Sequence, residues 1–254
     1  MRLKVLGCSG GIGGDLCTSA LLVDDDILID AGTGVFTLGI EQLRRIDHVF
    51  ITHSHLDHIT SLPLMVDSVG GLRDTPLTVY ATEATVSILK GHIFNWEIWP
   101  DFSRIPTVQA PFMRFEIITV GTPVNLGGRL ITAVPAEHAV PAVGYHIDSG
   151  QASLVYTGDT TRCEALWEYL NGVDNLRYLL IETAFSNYAR NIAVLSKHLC
   201  PSMLAEELAQ LRRPAEIWIT HLKPGEAEKT MLEIGQCVLS HRPRMLENGQ
   251  VFEF

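Results

Sequence analysis

The sequence contains the stretch Ile51-Thr52-His53-Ser54-His55-Leu56-Asp57-His58, in which four side chains that can bind a metal ion fall within six residues. His53 and His55 are two positions apart, so they project to the same side of an extended segment and can share one ion. Asp57 and His58 lie one turn further on and can face a second ion. Because isolated histidines rarely cluster at this HxHxDH spacing, the stretch predicts a metal site rather than ordinary surface or core histidines.

Two complete metal sites need further ligands, because each ion takes three or more protein ligands and keeps a position open for water. Suitable side chains follow three predicted strands downstream, and these are His138, Asp159 and His221. Strand ends that meet at one rim are a common place for a binding site in α/β proteins. Imidazole nitrogens combined with carboxylate oxygens suit Zn²⁺, with Mn²⁺ or Fe as alternatives.

The whole chain has the composition of an ordinary globular protein. It contains 254 residues, of which 46% are hydrophobic and 19% are charged, enough for one large domain or two small ones. No apolar run approaches the roughly 18 residues that a membrane span needs. Residues 1–7 predict a first strand and lack the apolar stretch of a signal peptide, so we expect a cytoplasmic protein with no membrane partner.

Charge and cysteine content argue against several classes of protein. The 19 Lys and Arg residues against 29 Asp and Glu residues give a net charge of −10, which repels polyanions, so we expect no long nucleic acid as a partner. A small anion held directly by metal ions is compatible with this charge. The five cysteines are scattered without CxxC spacing, which disfavours both a disulfide framework and a cysteine-based zinc site.

Short apolar strands alternate with helical patterns along the chain. The predicted strands are Leu3–Gly7, Ser19–Val23, Ile27–Asp30, His48–Thr52, Leu77–Ala81, Phe115–Val120, Leu130–Val134, Val143–Ile147, Leu154–Thr157, Tyr178–Glu182 and Glu216–Thr220. The predicted helices are Val35–Leu43, Ala165–Leu170, Ser202–Leu211 and Glu226–Ile234. So many strands with helices between them indicate a layered α/β domain whose sheets are covered by helices.

The segment 90–111 departs from this alternation. It carries Phe94, Trp96, Trp99 and Phe102 and has no clean period. Two interpretations are open at this point: an insertion or lid that covers a site, or a loop that its aromatic side chains pin to the core.

Further stretches along most of the chain carry a family resemblance. They are Gly7-Cys8-Ser9-Gly10-Gly11, Leu28-Ile29-Asp30-Ala31-Gly32-Thr33-Gly34, Thr52–His58, Phe94-Asn95, Trp99-Pro100-Asp101-Phe102, Val143-Gly144-Tyr145, Thr157–Thr160, Lys197-His198-Leu199 and Thr220-His221-Leu222-Lys223-Pro224. Together they resemble the metallo-β-lactamase superfamily and, within it, the class II cyclic-nucleotide phosphodiesterases. The resemblance implies an α/β fold, a metallo-β-lactamase-like αββα four-layer sandwich, in one hydrolase domain over residues 1–254 with a substrate-covering insertion near 90–111. One departure is Pro63, which interrupts the apolar run expected after the metal motif.

The resemblance also implies which residues bind which ion. One ion is assigned His53, His55 and His138; the other is assigned Asp57, His58 and His221; and Asp159 bridges both. Asp30 is then a buried residue that holds the ligand loop without touching metal. A turn residue ahead of Gly32 is an equally good interpretation of Asp30 from the sequence alone.

The expected chemistry is hydrolysis of a small cyclic nucleotide. Two divalent ions about 3.5–4 Å apart can share a hydroxide and clamp phosphate oxygens. The resemblance implies that the substrate is a nucleoside 3′,5′-cyclic phosphate such as cAMP or cGMP, converted to the 5′-monophosphate. His198 is the predicted proton donor to the leaving oxygen, oriented by Glu182, and Asp57 is counted with them as catalytic. This pair resembles the Glu/His pair of tRNA 3′-processing nucleases. A solvated loop residue is the other interpretation of His198, and a homodimer is left open.

Substrate contacts are predicted less specifically. Phe94, Trp96 and Trp99 are candidates to stack on the base, with Asn95 as a hydrogen-bonding partner, although core packing explains the aromatic residues equally well. Ser9 and the glycines after it can present backbone N–H groups to a phosphate, yet a glycine turn between strands is the more common meaning of such a stretch.

Three other functions compete with this one. A tRNA 3′-end endonuclease of the same superfamily shares the metal set, but the net charge of −10 disfavours its polyanionic substrate. Another hydrolase of phosphodiesters or thioesters is also compatible, because one fold hosts many reactions. The third is a non-catalytic, metal-dependent binding or sensing protein, which the presence of every expected ligand argues against.

Overall fold

Two mixed β-sheets form the centre of the structure, a computed structural model that describes residues 1–254. The first sheet contains β1 (Arg2–Gly7), β2 (Ala20–Val23), β3 (Ile27–Ile29), β4 (His48–Phe50), β5 (Leu77–Ala81) and β6 (Met113–Ile117). The second contains β7 (Pro123–Leu126), β8 (Arg129–Pro135), β9 (Val143–Asp148), β10 (Ser153–Tyr156), β11 (Leu176–Glu182), β12 (Glu216–Thr220) and β13 (Arg244–Met245). The last strand, β14 (Val251–Glu253), returns to the first sheet beside β1.

Helices connect the parallel strands of both sheets. They are α1 (Ile40–Arg45), α2 (Leu56–Ile59), α3 (Ser61–Val69), α4 (Glu83–His92), α5 (Glu164–Asn171), α6 (Arg190–Ser196), α7 (Pro201–Leu208) and α8 (Ala227–Cys237). The strand orders are β14-β1-β2-β3-β4-β5-β6 and β13-β12-β11-β10-β9-β8-β7. From β3 to β6 and from β10 to β13 the neighbours are parallel, and parallel neighbours need long crossovers that these helices provide.

Three buried apolar clusters separate four layers. The middle cluster of 20 residues lies between the two sheets, and clusters of 22 and 21 residues lie between each sheet and its helices. Alternation along a strand sends neighbouring side chains to different clusters, so Ile27 and Ile29 face the middle cluster while Leu28 faces the outer one. The layers therefore run helix, sheet, sheet, helix, which confirms the predicted αββα sandwich.

The predicted metal ligands leave the sheets at one edge. The segments that carry them follow the ends of β4, β8, β10 and β12. The two sheets meet there, because Val143 N at the start of β9 donates a hydrogen bond of 3.1 Å to the carbonyl oxygen of Thr52 just after β4. Gly158 has a φ of 60° and turns the chain directly after β10, where a Cβ atom would lie 2.9 Å from the Val143 carbonyl oxygen.

The helices differ from the sequence expectations, which include neither α4 nor α6. The predicted helix Val35–Leu43 is split, because a 3₁₀ turn over Thr33–Thr37 ends before Gly39 and α1 starts after it. Pro63 lies in the first turn of α3, where the missing N–H would have no intrahelical partner, so the proline does not break the helix. The other three predicted helices are present as α5, α7 and α8, with ends shifted by a few residues.

The aromatic segment 90–111 packs beneath the first sheet. Phe94 is 2% exposed and lies in the outer cluster with Phe102, which confirms that aromatic side chains pin this segment to the core. The segment leads into the start of β6, since Met113 N donates to the Phe102 carbonyl oxygen at 3.2 Å. The starts of the parallel strands lie at the sheet edge opposite the metal ligands, so the packing of the segment gives no support to a substrate-covering insertion, which stays a prediction.

No helix in the structure is long and apolar enough to cross a membrane. The helices are short, and the longest of them, α8, spans Ala227–Cys237.

The middle cluster should dominate the stability of the fold. Leu180 is fully buried between the sheets, so Leu180→Ala removes a packed side chain and leaves a cavity. We expect a loss of about 2–5 kcal/mol in the free energy of unfolding, measured by urea denaturation. The matched control is Leu239→Ala, whose side chain is 78% exposed and should change the stability little. Equal effects of the two substitutions would contradict the layered core.

Candidate metal centre

Asp30 organises the metal-binding loop from below. It is fully buried, with a φ of 58°, directly after β3. Its carboxylate accepts hydrogen bonds from the Thr52 backbone N–H at 2.8 Å and from the Thr52 hydroxyl at 2.9 Å, and it lies 2.7 Å from His58 Nδ1. The tyrosine hydroxyl of Tyr156 donates to it at 3.3 Å. Asp30 therefore both turns the chain and holds the loop, so the two interpretations of this residue are compatible.

These contacts aim the first two histidine rings into a common space. His58 Nδ1 donates to Asp30, which leaves Nε2 as the free ring nitrogen. The Thr52 hydroxyl donates its proton to Asp30, so its oxygen accepts a hydrogen bond from His53 Nδ1 at 3.0 Å. This leaves Nε2 of His53 free as well. Fixing one ring nitrogen by a hydrogen bond is the usual way in which a protein orients a histidine ligand.

The first ligand group consists of His53, His55, His138 and Asp159. His138 Nε2 lies 3.1 Å from His55 Nδ1, and the Asp159 Oδ2 atom lies 3.7 Å from His53 Nε2 and 3.9 Å from His138 Nε2. Two atoms bound to one ion at 2.0–2.2 Å are about 3–4 Å apart, so these atoms can surround a single ion.

The second ligand group consists of Asp57, His58, Asp159 and His221. Here the Oδ1 atom of Asp159 lies 3.4 Å from His58 Nε2 and 3.3 Å from His221 Nδ1. Asp57 Oδ2 lies 3.7 Å from His221 Nε2. Because the two oxygens of Asp159 face different groups, this carboxylate is placed to bridge two ions, as the sequence predicts.

Buried polar atoms without protein partners show that the groups fit metal ions. Nε2 of His53, Nε2 of His58, Oδ1 of Asp159 and both ring nitrogens of His221 are buried and accept or donate no hydrogen bond. Such atoms are costly to bury unless something satisfies them. Divalent ions bound by both groups would satisfy the His53, His58 and Asp159 atoms and one ring nitrogen of His221, and the imidazole and carboxylate donors match that role.

The electrostatics of the ligands favour the metal-binding protonation states. Burial lowers the pKa of His138 to about 4 and the pKa of His221 to about 3, so both rings are neutral. Burial alone would raise the pKa of Asp159, but His221 and His58 hold it well below its usual range. Burial also opposes a charge on His58, yet Asp159 and Asp30 raise its pKa well above its usual value. The space beside His58 thus requires positive charge, which a divalent ion supplies in place of a proton.

A second histidine–carboxylate pair stands beside the ligand groups. Glu182 is fully buried at the end of β11, and its Oε1 atom lies 2.7 Å from Nδ1 of His198. The His198 ring stacks on His221 at a centroid distance of 5.3 Å and lies 4.9 Å from His138. Burial alone would lower the pKa of His198, but Glu182 raises it above its usual value. The structure therefore brings the two predicted residues together and makes His198 a buried residue rather than a solvated one.

The contacts of His198 and its neighbour link this pair to the ligands. Lys197 ends α6 in the left-handed conformation, with a φ of 54°, and its carbonyl oxygen accepts from His138 Nδ1 at 3.0 Å. Glu182 also accepts backbone hydrogen bonds, including one of 3.0 Å from Ala184 N. The sequence does not predict the contact of the Lys197 carbonyl oxygen with His138, because every residue type has a backbone carbonyl group.

The predicted substrate contacts are not brought together. The Ser9 hydroxyl donates a hydrogen bond of 3.5 Å to the Leu222 carbonyl oxygen, and Ser9 lies in a glycine turn that packs against the His221 loop. A Cβ atom on Gly10 would lie 2.4 Å from the His221 carbonyl oxygen, so the glycine is needed for this close approach. Of the aromatic segment, Phe94 is in the outer core and Trp99 packs against it.

The remaining two residues of that segment are also accounted for locally. The Asn95 side chain accepts hydrogen bonds from the backbone N–H groups of Glu97 and Ile98, at 3.0 and 2.8 Å. Trp96 is 59% exposed on the same loop. Their loop leads into β6 at the sheet edge opposite the metal ligands, so the structure does not bring Phe94, Asn95, Trp96 and Trp99 to the metal centre, and their contact with the substrate stays a prediction.

Comparison with known proteins agrees with this geometry. The sequence profile of a family described as "Beta-lactamase superfamily domain" matches residues 25–240. The chain belongs to the metallo-β-lactamase superfamily. Its fold is similar to that of unliganded yeast PDE1, whose crystal structure superposes with a TM-score of 0.82 at 17% sequence identity over 100% of this chain and 99% of that chain.

Two relatives in sequence are named for an enzymatic activity. A probable 3′,5′-cyclic-nucleotide phosphodiesterase of Yersinia pestis is 25% identical over 206 residues, which cover 72% of this chain and 58% of that protein. A ribonuclease Z of Pyrobaculum aerophilum is 26% identical over 213 residues, which cover 69% and 71% of the two chains. The aligned stretch spans less than two thirds of the Yersinia pestis protein. Family and site together identify a superfamily hydrolase with a site for divalent metals.

Asp159→Asn should separate metal binding from folding. The substitution keeps the shape of the side chain but removes the charge that both ligand groups share, so we expect the bound metal to fall by about one equivalent or more. Elemental analysis of the dialysed protein measures this. The control Asp67→Asn changes an exposed aspartate on α3 and should keep the wild-type metal content. Full metal content in Asp159→Asn would refute the bridging assignment.

Asp30→Asn should weaken metal binding without abolishing it. The amide cannot accept from His58 as the carboxylate does, so the ring loses its fixed orientation. We expect the zinc dissociation constant to rise about 10–100-fold, as measured by competition with a chromogenic chelator. An unchanged dissociation constant in a folded Asp30→Asn protein would show that Asp30 serves only the turn.

Proposed function

We propose that the protein is a phosphodiesterase with a dinuclear metal centre, which hydrolyses nucleoside 3′,5′-cyclic phosphates to 5′-monophosphates within one domain. The observation that carries the proposal is the Asp159 carboxylate, whose two oxygens face two separate ligand groups. Zinc is the proposed metal, because histidine nitrogens outnumber carboxylates in the first group and equal them in the second. When bound, two such ions supply a water of lowered pKa and neutralise charge on a phosphoryl group.

His198 is the proposed proton donor to the leaving oxygen. Its Nδ1 atom is held by Glu182, so Nε2 is the ring nitrogen available to the substrate. Glu182 stabilises the protonated ring, which is the form that can donate. The ring lies beside one member of each ligand group, His138 and His221, and so borders the space where a phosphoryl group would bind.

A small cyclic substrate agrees better with this chain than a long nucleic acid does. The net charge of −10 repels a polyanion at long range, whereas a small monoanion is governed by the local charge of the centre. The Yersinia pestis relative is described as a probable 3′,5′-cyclic-nucleotide phosphodiesterase, which supports the same choice. The ribonuclease Z relative makes tRNA 3′-end cleavage the second candidate.

A turnover assay distinguishes these functions. The zinc-loaded protein is incubated with cyclic AMP, cyclic GMP, a precursor tRNA and bis(p-nitrophenyl) phosphate, and the products are separated by chromatography. We expect 5′-AMP or 5′-GMP from the cyclic nucleotides. Cleavage of the precursor tRNA alone would favour the endonuclease. No hydrolysis of any substrate by fully metal-loaded protein would favour a binding or sensing protein.

His198→Ala should slow catalysis while leaving the metal centre intact. The ring binds no metal in this arrangement, so we expect wild-type metal content and a kcat about 10²-fold lower or more on cyclic nucleotide. The control His92→Ala removes an exposed histidine at the end of α4 and should leave kcat unchanged. A wild-type kcat for His198→Ala would overturn the proton-donor assignment.

A further inference from the structure

Lys223 lies close to the metal centre without belonging to it. It follows His221 by two residues, and its backbone N–H donates to the Ala184 carbonyl oxygen at 3.2 Å. Its side chain crosses to the glycine turn after β1, where Nζ donates to the Gly10 carbonyl oxygen at 2.7 Å. Gly10 itself packs against the backbone of His221. The ammonium group is therefore held at the border of the second ligand group.

The same ammonium group faces the side of the centre where His198 stands. Nζ lies 5.8 Å from the centroid of the Phe185 ring, and that ring lies 5.7 Å from the His198 ring. The Phe185 ring is therefore a neighbour of both the ammonium group and His198.

Lys223 has no carboxylate partner, although the chain is strongly acidic. Lys197 and Lys229 pair with Glu137 and Glu226 respectively, whereas no carboxylate oxygen lies within 4.0 Å of Lys223 Nζ. An ammonium group has three N–H donors, and only one of them is used, by Gly10. The other two donors are available to an anion.

The two sides of the ammonium group differ in charge. On one side, Lys223 lines an open cleft of about 420 Å³ together with Ser9 and Leu222, and no metal ligand lines that cleft. Glu228 and Glu247 also line it and disfavour an anion there. The Phe185 and His198 rings lie outside this cleft, on the side of Lys223 that the proposal concerns.

We propose that Lys223 determines specificity by binding a non-bridging phosphoryl oxygen of the substrate on the His198 side of the centre. The inference rests on the proposed phosphodiesterase function. A charge-assisted hydrogen bond from the ammonium group would hold the phosphoryl group while His198 faces the leaving oxygen. The competing explanation is that Lys223 only fastens the glycine turn through Gly10.

Substitutions at one position separate the two explanations. Lys223→Gln keeps an N–H that can reach Gly10 but removes the charge, and Lys223→Arg keeps the charge. We expect Lys223→Gln to weaken binding of inorganic phosphate to the zinc-loaded protein by about 10-fold, and to raise KM for cyclic AMP similarly with a smaller change in kcat. Lys223→Arg should stay within about 3-fold of wild type, because it preserves the charge. Calorimetry and initial rates measure these quantities.

The matched control is Lys229→Gln, which removes an exposed lysine paired with Glu226 and should change neither value. A measurement on the wild-type protein covers the case in which a variant fails to fold. Acetylation of Lys223 followed by mass spectrometry should be at least about 3-fold slower in saturating phosphate, while Lys229 reacts unchanged.

The outcomes are distinct. Wild-type phosphate binding in Lys223→Gln, or acetylation of Lys223 that ignores phosphate, would overturn the inference and leave only the fastening role. Equal losses in Lys223→Gln and Lys223→Arg would also overturn it, because shape rather than charge would then matter. Phosphate binding that depends on Lys223 in a protein without diesterase activity would refute the proposed function while the anion site stands.

Discussion

The buried carboxylate of Asp159 joins the two halves of the molecule. It leaves the second sheet just after β10, and one of its oxygens faces His53 while the other faces His58, both of which follow β4 of the first sheet. An ionised carboxylate at 2% exposure is costly unless positive charge surrounds it. Divalent ions in the two ligand groups, one on either side of the carboxylate, would supply this positive charge. The two sheets meet at the edge where these residues converge.

Hydrogen bonds outside the ligand groups give the centre its direction. Thr52 fixes the ring of His53, Asp30 fixes that of His58, and the Lys197 carbonyl oxygen fixes that of His138. Glu182 fixes His198 by the same means, although His198 belongs to neither ligand group. Rings whose nitrogens are set before substrate arrives need little rearrangement during reaction, which is how preorganised sites lower barriers. One structural device thus serves both metal binding and the proposed proton transfer.

The residues of the two ligand groups can be picked out in the sequence, because histidine and aspartate side chains are themselves the metal-binding groups. The HxHxDH spacing is local, and His138, Asp159 and His221 each follow a strand that apolar alternation reveals. The layered fold is predictable for the same reason, since strand and helix periods differ. The pairing of Glu182 with His198 came from family resemblance, and the structure confirms the contact.

Other features depend on three-dimensional relations that no local pattern encodes. Aromatic residues without a period are equally compatible with a lid and with core packing, and the core packing of Phe94 becomes visible only in the three-dimensional structure. The Lys197 group that contacts His138 is the backbone carbonyl, which every residue type has. The contact of Lys223 Nζ with the Gly10 carbonyl oxygen joins residues that are 213 positions apart in the sequence.

Anomalous X-ray diffraction at the zinc edge, from crystals grown with zinc, would locate the ions in the two ligand groups. We expect two peaks about 3.5–4 Å apart, one on each side of the Asp159 carboxylate. A single peak, or two peaks of which one does not contact Asp159, would contradict this expectation.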